Sequence, residues 1–427
     1  MDEPADRTRK PRVIIHTPEP RHGAASYVTE LVKALAAAKA RVVLFCPANF
    51  EYQNEVRKAG VELVLARPRI IKRASLSARI LRNLKFVAQS AFAQYRLTRR
   101  GDIVHFQFPV HLPLGFVFLL LVRAQGGSVV LTAHDPQPHK WRLHPRLRWI
   151  ECKMLECFYG QCHFIVVHNQ AGRDVLVDKF RQCPERIAVI PHGPLSENAA
   201  KTPYPPFDSL RVLIFGSIRG NKGVAHAIRA VQRLQHNSRL PIRLTIAGCA
   251  GTANEVRYWR DCKQLIAQMP ECIDVIDHFI ADDDVRPLLA RHHAVVLPYS
   301  DFYSESGVAA LALSNRRPIL ATRAGGLGEL LEQSSCGIPI ESPTAESVAQ
   351  AITSAVEAGP ERLSQMGIEG WEFLTRTRSW DSVARKTSAL YSRISGIHAS
   401  ASDCDPAITE SRRSLGETDC ELTGLLK

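Results

Sequence analysis

Apolar positions along this 427-residue chain follow two signatures that alternate, and the alternation occurs twice. Short, unbroken aliphatic and β-branched runs predict parallel strands covered on both faces, which have no solvent side to mark with polar residues. In the first half these runs are residues 13–16, 41–46, 61–65, 103–106, 129–132, 164–168 and 187–190. Helical spacing separates them: Ala24, Tyr27, Val28, Leu31, Val32 and Leu35 line one face of a helix predicted over 26–38. A turn holding His22 and Gly23 precedes that helix. Between 193 and 210 the periodicity stops, and Pro194, Pro203, Pro205 and Pro206 predict a linker.

The alternation then restarts with a strand at 212–216 and a helix from Gly223 to about Leu234. Further strands are predicted at 244–247, 274–277, 294–298, 318–322 and 337–340, and a last amphipathic helix at 380–394. Two strand–helix series of this kind predict two Rossmann-like, doubly wound α/β domains. The expected boundaries are 1–192, a linker at 193–210, 211–377, and a helix at 378–396 returning to the first domain. From 397 to 427 the chain is rich in Ser, Asp, Glu and Thr without apolar periodicity, as in a disordered tail.

Composition narrows the classes. With 45% hydrophobic and 23% charged residues the chain has material for two cores, which excludes wholesale disorder or a fibrous repeat. Its net charge of +13 suits anionic partners. No aromatic–basic RNA motif, zinc-finger spacing or helix-turn-helix accompanies it, so nucleic acid is not expected. Much of the surplus lies in Arg67, Arg69, Lys72, Arg73, Arg79, Arg82, Lys85, Arg96, Arg99 and Arg100, between apolar residues. That segment reads either as a solvated helix face or as an amphipathic surface for an anionic membrane.

The apolar run at 112–122 is too short for a bilayer, which needs about 20 residues. Eleven cysteines, an odd number, behind a charged N-terminus without a signal peptide point to the reducing cytoplasm, with the inner membrane face as a peripheral location. Cys152, Cys157, Cys162 and His163 hint at metal, but five-residue spacing spreads the thiols around a helix. Asp282, Asp283 and Asp284 precede a helical pattern, where acidic residues suit the N-terminal dipole better than a metal. No metal or other cofactor is expected; the chain has no dinucleotide fingerprint and no Walker loop.

Candidate chemistry falls at predicted strand ends. Phe215 and Gly216 close a strand, Arg219 and Lys222 follow, and a helix opens at Gly223. A helix N-terminus offers free amides to a phosphate, Arg219 can fork onto two of its oxygens, and Lys222 adds a point charge. The Tyr299, Ser304, Glu305, Ser306 and Gly307 segment repeats the arrangement. There the amides of Ser306 and Gly307 would face a ligand and Glu305 would accept its hydroxyls, while Ser306 or Ser304 would cap the helix. Gly23 lets a ligand approach the first turn. His134, after Thr132 and Ala133, ends another strand and is either structural or a contact for the transferred group.

Taken with Val189, Ile190, Pro191, His192, Gly193, with Pro318, Ile319, Leu320, and with Gly325, Gly326, Leu327, Gly328, Glu329, these residues resemble family 4 glycosyltransferases. The resemblance runs over 13–394. It implies a GT-B fold, two Rossmann-like domains facing a cleft, and transfer with retention from a nucleotide-diphosphate sugar to a saccharide or lipid-linked acceptor in polysaccharide biosynthesis. It also implies that Arg219 and Lys222 neutralise the departing diphosphate without metal, Gly23 approaches the donor, His134 contacts the sugar, and backbone near Phe279 and Ile280 meets the base.

The chain departs from the family pattern where two glutamates usually stand eight positions apart: counted from Pro318 those places hold Tyr303 and Leu311, and counted from Glu305 the second holds Leu313. It resembles a sub-branch lacking the pair. That departure keeps two rivals in view, a non-catalytic GT-B protein binding sugar nucleotide or a partner enzyme, and a sugar-nucleotide epimerase.

Overall fold

The computed structural model describes residues 11–66, 76–107, 115–138, 141, 143–194, 204–235 and 238–402. The basic positions Arg67, Arg69, Lys72 and Arg73, the start of the 112–122 run, the middle of the predicted linker and the tail from 403 lie outside them.

The first sheet contains β1 (Arg12–His16), β2 (Arg41–Pro47), β3 (Glu62–Ala66), β4 (Ile103–Phe106), β5 (Ser128–Thr132), β6 (Phe164–Val167) and β7 (Ile187–Val189). They lie in the order β3-β2-β1-β4-β5-β6-β7, all pairs parallel. The second contains β8 (Leu210–Phe215), β9 (Ile242–Ala247), β10 (Ile273–Ile276), β11 (Ala294–Leu297), β12 (Ile319–Thr322) and β13 (Gly337–Ile340), ordered β10-β9-β8-β11-β12-β13 and again parallel. Both are open sheets whose winding reverses beside the first strand, between β1 and β4 and between β8 and β11. Crevices at such switch points, outside the carboxyl ends of the strands, are where ligands bind.

Each sheet buries both faces, as its unbroken aliphatic runs require. Val13, Ile15, Leu44 and Val130 join one apolar cluster and Ile14, Val43, Val104 and Leu131 the other. The second sheet divides likewise, with Val212, Leu244 and Val296 on one side and Leu213, Val295 and Ile319 on the other.

The last helix, Trp380–Ser402, belongs to the first core: Trp380, Val383, Leu390, Tyr391 and Ile394 are buried in the cluster of Val28, Leu31 and Leu35. The Nδ1 of His105 and the Tyr391 hydroxyl lie 2.7 Å apart, tying this helix to β4. The helix runs past 397, where the sequence suggested a tail, because alanine and serine alternate there without a breaker.

One start differs. The first helix spans His22–Ala37 rather than opening at 26, so Gly23 stands in its first turn. Ala24 and Ala25 favour helix strongly, and Pro20 fixes the chain just ahead of it. Asp282, Asp283 and Asp284 form the first turn of the helix Asp282–Ala290. The ring of His163 accepts the Val129 amide at 2.9 Å, and Cys162 is buried while Cys157 is exposed. Among the described residues no group of three His, Cys, Asp or Glu could hold a metal ion, and no helix is long and apolar enough to cross a membrane.

Candidate active site

The two sheets point their carboxyl ends at each other. Three polar bridges join loops that follow those ends. Beyond β2, the Tyr52 hydroxyl donates to Asp282, beyond β10, at 3.1 Å. Beyond β6, the Gln170 amide donates to Glu329, beyond β12, at 2.5 Å. Beyond β11, the Ser304 hydroxyl donates to Asp135, beyond β5. The cleft therefore lies between two sets of strand-end loops, and each predicted site residue sits in or beside one of them.

Arg219 and Lys222 follow β8. Gly223 turns the chain with φ 66°, and a Cβ there would collide with the carbonyl oxygen of Pro298. Only glycine suits both demands. The helix Val224–Leu234 starts immediately after it. The Ser300 amide donates to the Asn221 carbonyl at 3.0 Å, fastening this loop to the one after β11.

The two cations are held by different means. Arg219 pairs with Glu255 at 3.5 Å, half-exposed, while Glu255 also caps the helix Ala253–Ile266 through the amides of Gly251 and Thr252. Burial raises the Glu255 carboxyl pKa, but those amides, the Thr252 hydroxyl and Arg219 outweigh it and hold the pKa below its ordinary value. Lys222 sets its ammonium 3.6 Å above the ring of Tyr299 and 5.2 Å from that of Phe302.

In the loop after β11, Ser306 caps the helix Gly307–Ser314, accepting the Ala309 amide at 3.2 Å. Gly307 opens that helix. The neighbouring helix Gly326–Gln333 begins after Gly325, whose φ is 53° and whose missing Cβ would stand 2.9 Å from the carbonyl oxygens of Phe302 and Ser304. Helix N-termini thus follow β8, β11 and β12, aimed into the cleft.

Glu305, expected to accept hydroxyls, pairs with Arg378, the two side chains being 5% and 4% exposed. Arg378 stands between the helix Ala345–Thr377 and the helix Trp380–Ser402, where the chain crosses back to the first domain. Burial raises the pKa of Glu305, and Arg378 opposes that. The sequence offered Arg378 no such role because it lies 73 positions away.

His134 follows β5, partly buried, with its Nδ1 2.9 Å from the Nε2 of His168. The Nδ1 of His168 lies 2.9 Å from the Ile190 carbonyl, and that of His192 lies 2.6 Å from the Gly193 carbonyl. Tyr27 stands among the three rings, edge-on to His134 at 4.8 Å. Burial lowers these histidines: His168 to about 4, His192 to about 3 and His134 well below its ordinary value. Sequence reading missed His168, His192 as a ring neighbour, and Glu255; the Thr252–Glu255 capping box was the one signal available for the last.

The remaining candidates spread along the cleft. Gly23 is exposed, and a Cβ there would meet nothing within 4 Å. Phe279 is 56% exposed beyond β10, whereas Ile280 is buried among Leu213, Val285 and Leu288. A cavity of about 300 Å³ opens between the domains, lined by Gln137, Pro138, Trp141 and Arg148 on one side and Asp301, Tyr303 and Ser304 on the other.

Two facing Rossmann-like domains with the site between their strand ends are the GT-B architecture, the class to which this fold belongs. The Glycosyltransferase Family 4 profile matches residues 21–194 and the Glycosyl transferases group 1 profile residues 209–358. The chain belongs to glycosyltransferase family 4 and is an enzyme of the hexosyltransferase kind.

Among its relatives is the MMP alpha-(1->4)-mannosyltransferase of Mycolicibacterium hassiacum, 24% identical over 64% of this chain and 67% of that one. A glycogen synthase of Mycobacterium tuberculosis is 27% identical over 53% of each chain. Among solved structures, HepE of Anabaena with UDP and glucose has a TM-score of 0.67 at 14% identity, over 89% of this chain and 99% of that one. Sucrose-phosphate synthase of Thermosynechococcus elongatus reaches 0.69 at 17% identity, over 90% and 99%. At these identities the structural likenesses speak for the fold.

Proposed function

We propose that this glycosyltransferase moves a hexosyl group from a nucleotide-diphosphate sugar to a saccharide acceptor, lipid-linked or free, in polysaccharide assembly. The observation that carries this is the loop after β8. Two cations at a switch point, each held by its own neighbours, stand beside a helix N-terminus. As the sugar–phosphate bond breaks, charge grows on the diphosphate, and fixed cations and amides stabilise that charge without reorganising. Relatives that act on sugars, and a neighbour that binds UDP and glucose, support the same reading.

In this reading Gly23 leaves room for the donor, the backbone near Phe279 and Ile280 meets the base, the amides of Ser306 and Gly307 face the sugar, and His134 contacts it. The acceptor enters the cavity walled by Trp141 and Tyr303, whose rings suit a sugar face while Gln137, Arg148 and Asp301 suit its hydroxyls or an acidic substituent. Transfer proceeds with retention, the leaving phosphate taking the acceptor's proton on the same face. The test is transfer from UDP-glucose, GDP-mannose and ADP-glucose to saccharide acceptors, with the product anomer read by NMR. An inverted product would remove retention, and no transfer from any donor would favour the non-catalytic alternative.

The surface supports peripheral contact with an anionic membrane. Helix Leu76–Leu97 turns Val87, Ala91 and Gln94 inward. Outward, at helical spacing, it shows Leu81 and Phe92, 68% and 63% exposed, with Leu84 and Tyr95 between and beside them. Lys85 and Arg96 flank this stripe. Sedimentation with anionic and neutral vesicles tests it: binding to the anionic set alone, lost in Leu81→Asp/Phe92→Asp, is expected.

A further inference from the structure

The three histidines around Tyr27 carry more information than their burial, because their hydrogen bonds fix where each proton sits. A carbonyl oxygen only accepts, so the Nδ1 of His168, 2.9 Å from the Ile190 carbonyl, carries a hydrogen. A neutral imidazole has one N–H, which leaves the Nε2 of His168 as a lone pair. That lone pair lies 2.9 Å from the Nδ1 of His134, which must therefore be the donor.

We infer that His168 is a positioning residue that locks His134 in the Nδ1–H tautomer, leaving the His134 Nε2 lone pair as an acceptor for a hydroxyl of the donor sugar. The first part rests on geometry alone; the second rests on the transfer reading given above.

The surroundings keep this relay in one state. A protonated His168 would carry hydrogens on both nitrogens and reverse the bond to His134. Burial disfavours that form and lowers the His168 pKa to about 4, although Asp135 pulls the other way and Arg378 reinforces burial. Tyr27 holds the His134 ring edge-on at an interplanar angle of 87°, which opposes rotation about χ2. The Ile190 carbonyl cannot swing aside either, since the Ile190 amide donates to the Val167 carbonyl at 2.8 Å and extends the β6–β7 ladder. The tautomer at the cleft is thus set from the sheet of the first domain, through a histidine that itself need not touch substrate.

Protein labelled with ¹⁵N histidine reads the tautomer directly, from the shifts and ring couplings of His134 at pH 7.5, with His134→Gln supplying the assignment. The Nδ1–H form is expected in the wild type. His168→Gln should keep it, because the glutamine amide can donate to Ile190 and accept from His134. His168→Leu should mix the tautomers or give the Nε2–H form. An Nε2–H His134 in the wild type would overturn the lock, as would a His168→Leu spectrum unchanged from wild type.

A kinetic arm uses whichever of UDP-glucose, GDP-mannose and ADP-glucose the wild type turns over. His168→Leu should lower kcat about tenfold, the size of one hydrogen bond, and His168→Gln should restore it. Affinity for the matching nucleoside diphosphate, which has no sugar, should stay within about threefold in both. A locked tautomer with unchanged His168→Leu kcat would remove the sugar-facing role while leaving the relay in place. No turnover by the wild type on any donor would instead count against the transfer reading.

Discussion

The loop after β8 and the seam where Glu305 meets Arg378 both lie at the cleft, yet they treat charge in opposite ways. In the loop, Arg219 is half-exposed and Lys222 rests on an aromatic ring, so both cations remain open to an anion from outside. In the seam, a carboxylate and a guanidinium neutralise each other in nearly complete burial. The first arrangement leaves charge available for chemistry, and the second uses it to fasten the loop after β11 to the crossing point between two helices. A charged residue near a cleft is therefore no guide to ligand binding until its partner is known. Glu305 has its partner within the chain in nearly complete burial, whereas Arg219, 3.5 Å from Glu255, stays half-exposed.

Breaking the seam should have the largest effect. Arg378→Met leaves Glu305 buried without its cation, at a cost of about 3–5 kcal/mol in urea-melt stability. Adding Glu305→Leu should recover much of that loss, since replacing a whole buried pair by apolar residues is far cheaper than orphaning one member. If the single and double variants unfold alike, the pair does not act as described. In the loop the contrast is reversed. Arg219→Ala should lower kcat/KM about 100- to 1,000-fold while changing stability by no more than about 0.5 kcal/mol. Initial-rate kinetics alongside the same melts separate the two effects.

Acid sharpens the comparison further. His105, His168 and His192 have folded pKa values of about 3, 4 and 3, each below the ordinary 6.5 because burial penalises the cation. Between those values the unfolded chain binds more protons than the folded one, so stability rises with pH there. It is complete above about 6.5 and is lost as pH falls toward 4, by up to about 3 kcal/mol per histidine. Thermal melts from pH 7.5 to 4.5 should show this slope, shallower in His168→Gln and unchanged in Arg219→Ala. A flat profile in the wild type would mean that these rings are not buried neutral.

Both sheets were legible in the sequence because a strand buried on two faces needs an unbroken apolar run, and that requirement is local. The loop after β8 was legible for the same reason: the end of β8, Arg219, Lys222 and the obligatory Gly223 fall in one short segment. What could not be read locally is the pairing of distant loops. Ser304 and Asp135 are 169 positions apart, Gln170 and Glu329 159, and His134 and His168 34. The first two pairs exist only once two domains have set their strand ends against each other, and the third only once β5 and β6 lie side by side. Glu305 shows the consequence: its position after β11 was foreseeable, but its partner was not. The early start of the first helix has a different cause, since Ala24 and Ala25 extend it ahead of its apolar face.

In the proposed reaction Arg219 and Lys222 hold the donor's diphosphate. Calorimetric titration of the wild type and of Arg219→Ala/Lys222→Ala with UDP, GDP and ADP, at two salt concentrations, tests it. One nucleoside diphosphate should bind the wild type, more weakly at high salt. The double variant, still folded, should lose about 100-fold or more in affinity for it, the size expected for two charge-assisted contacts. Equal affinity in the two proteins would contradict the claim, however well the fold agrees with it.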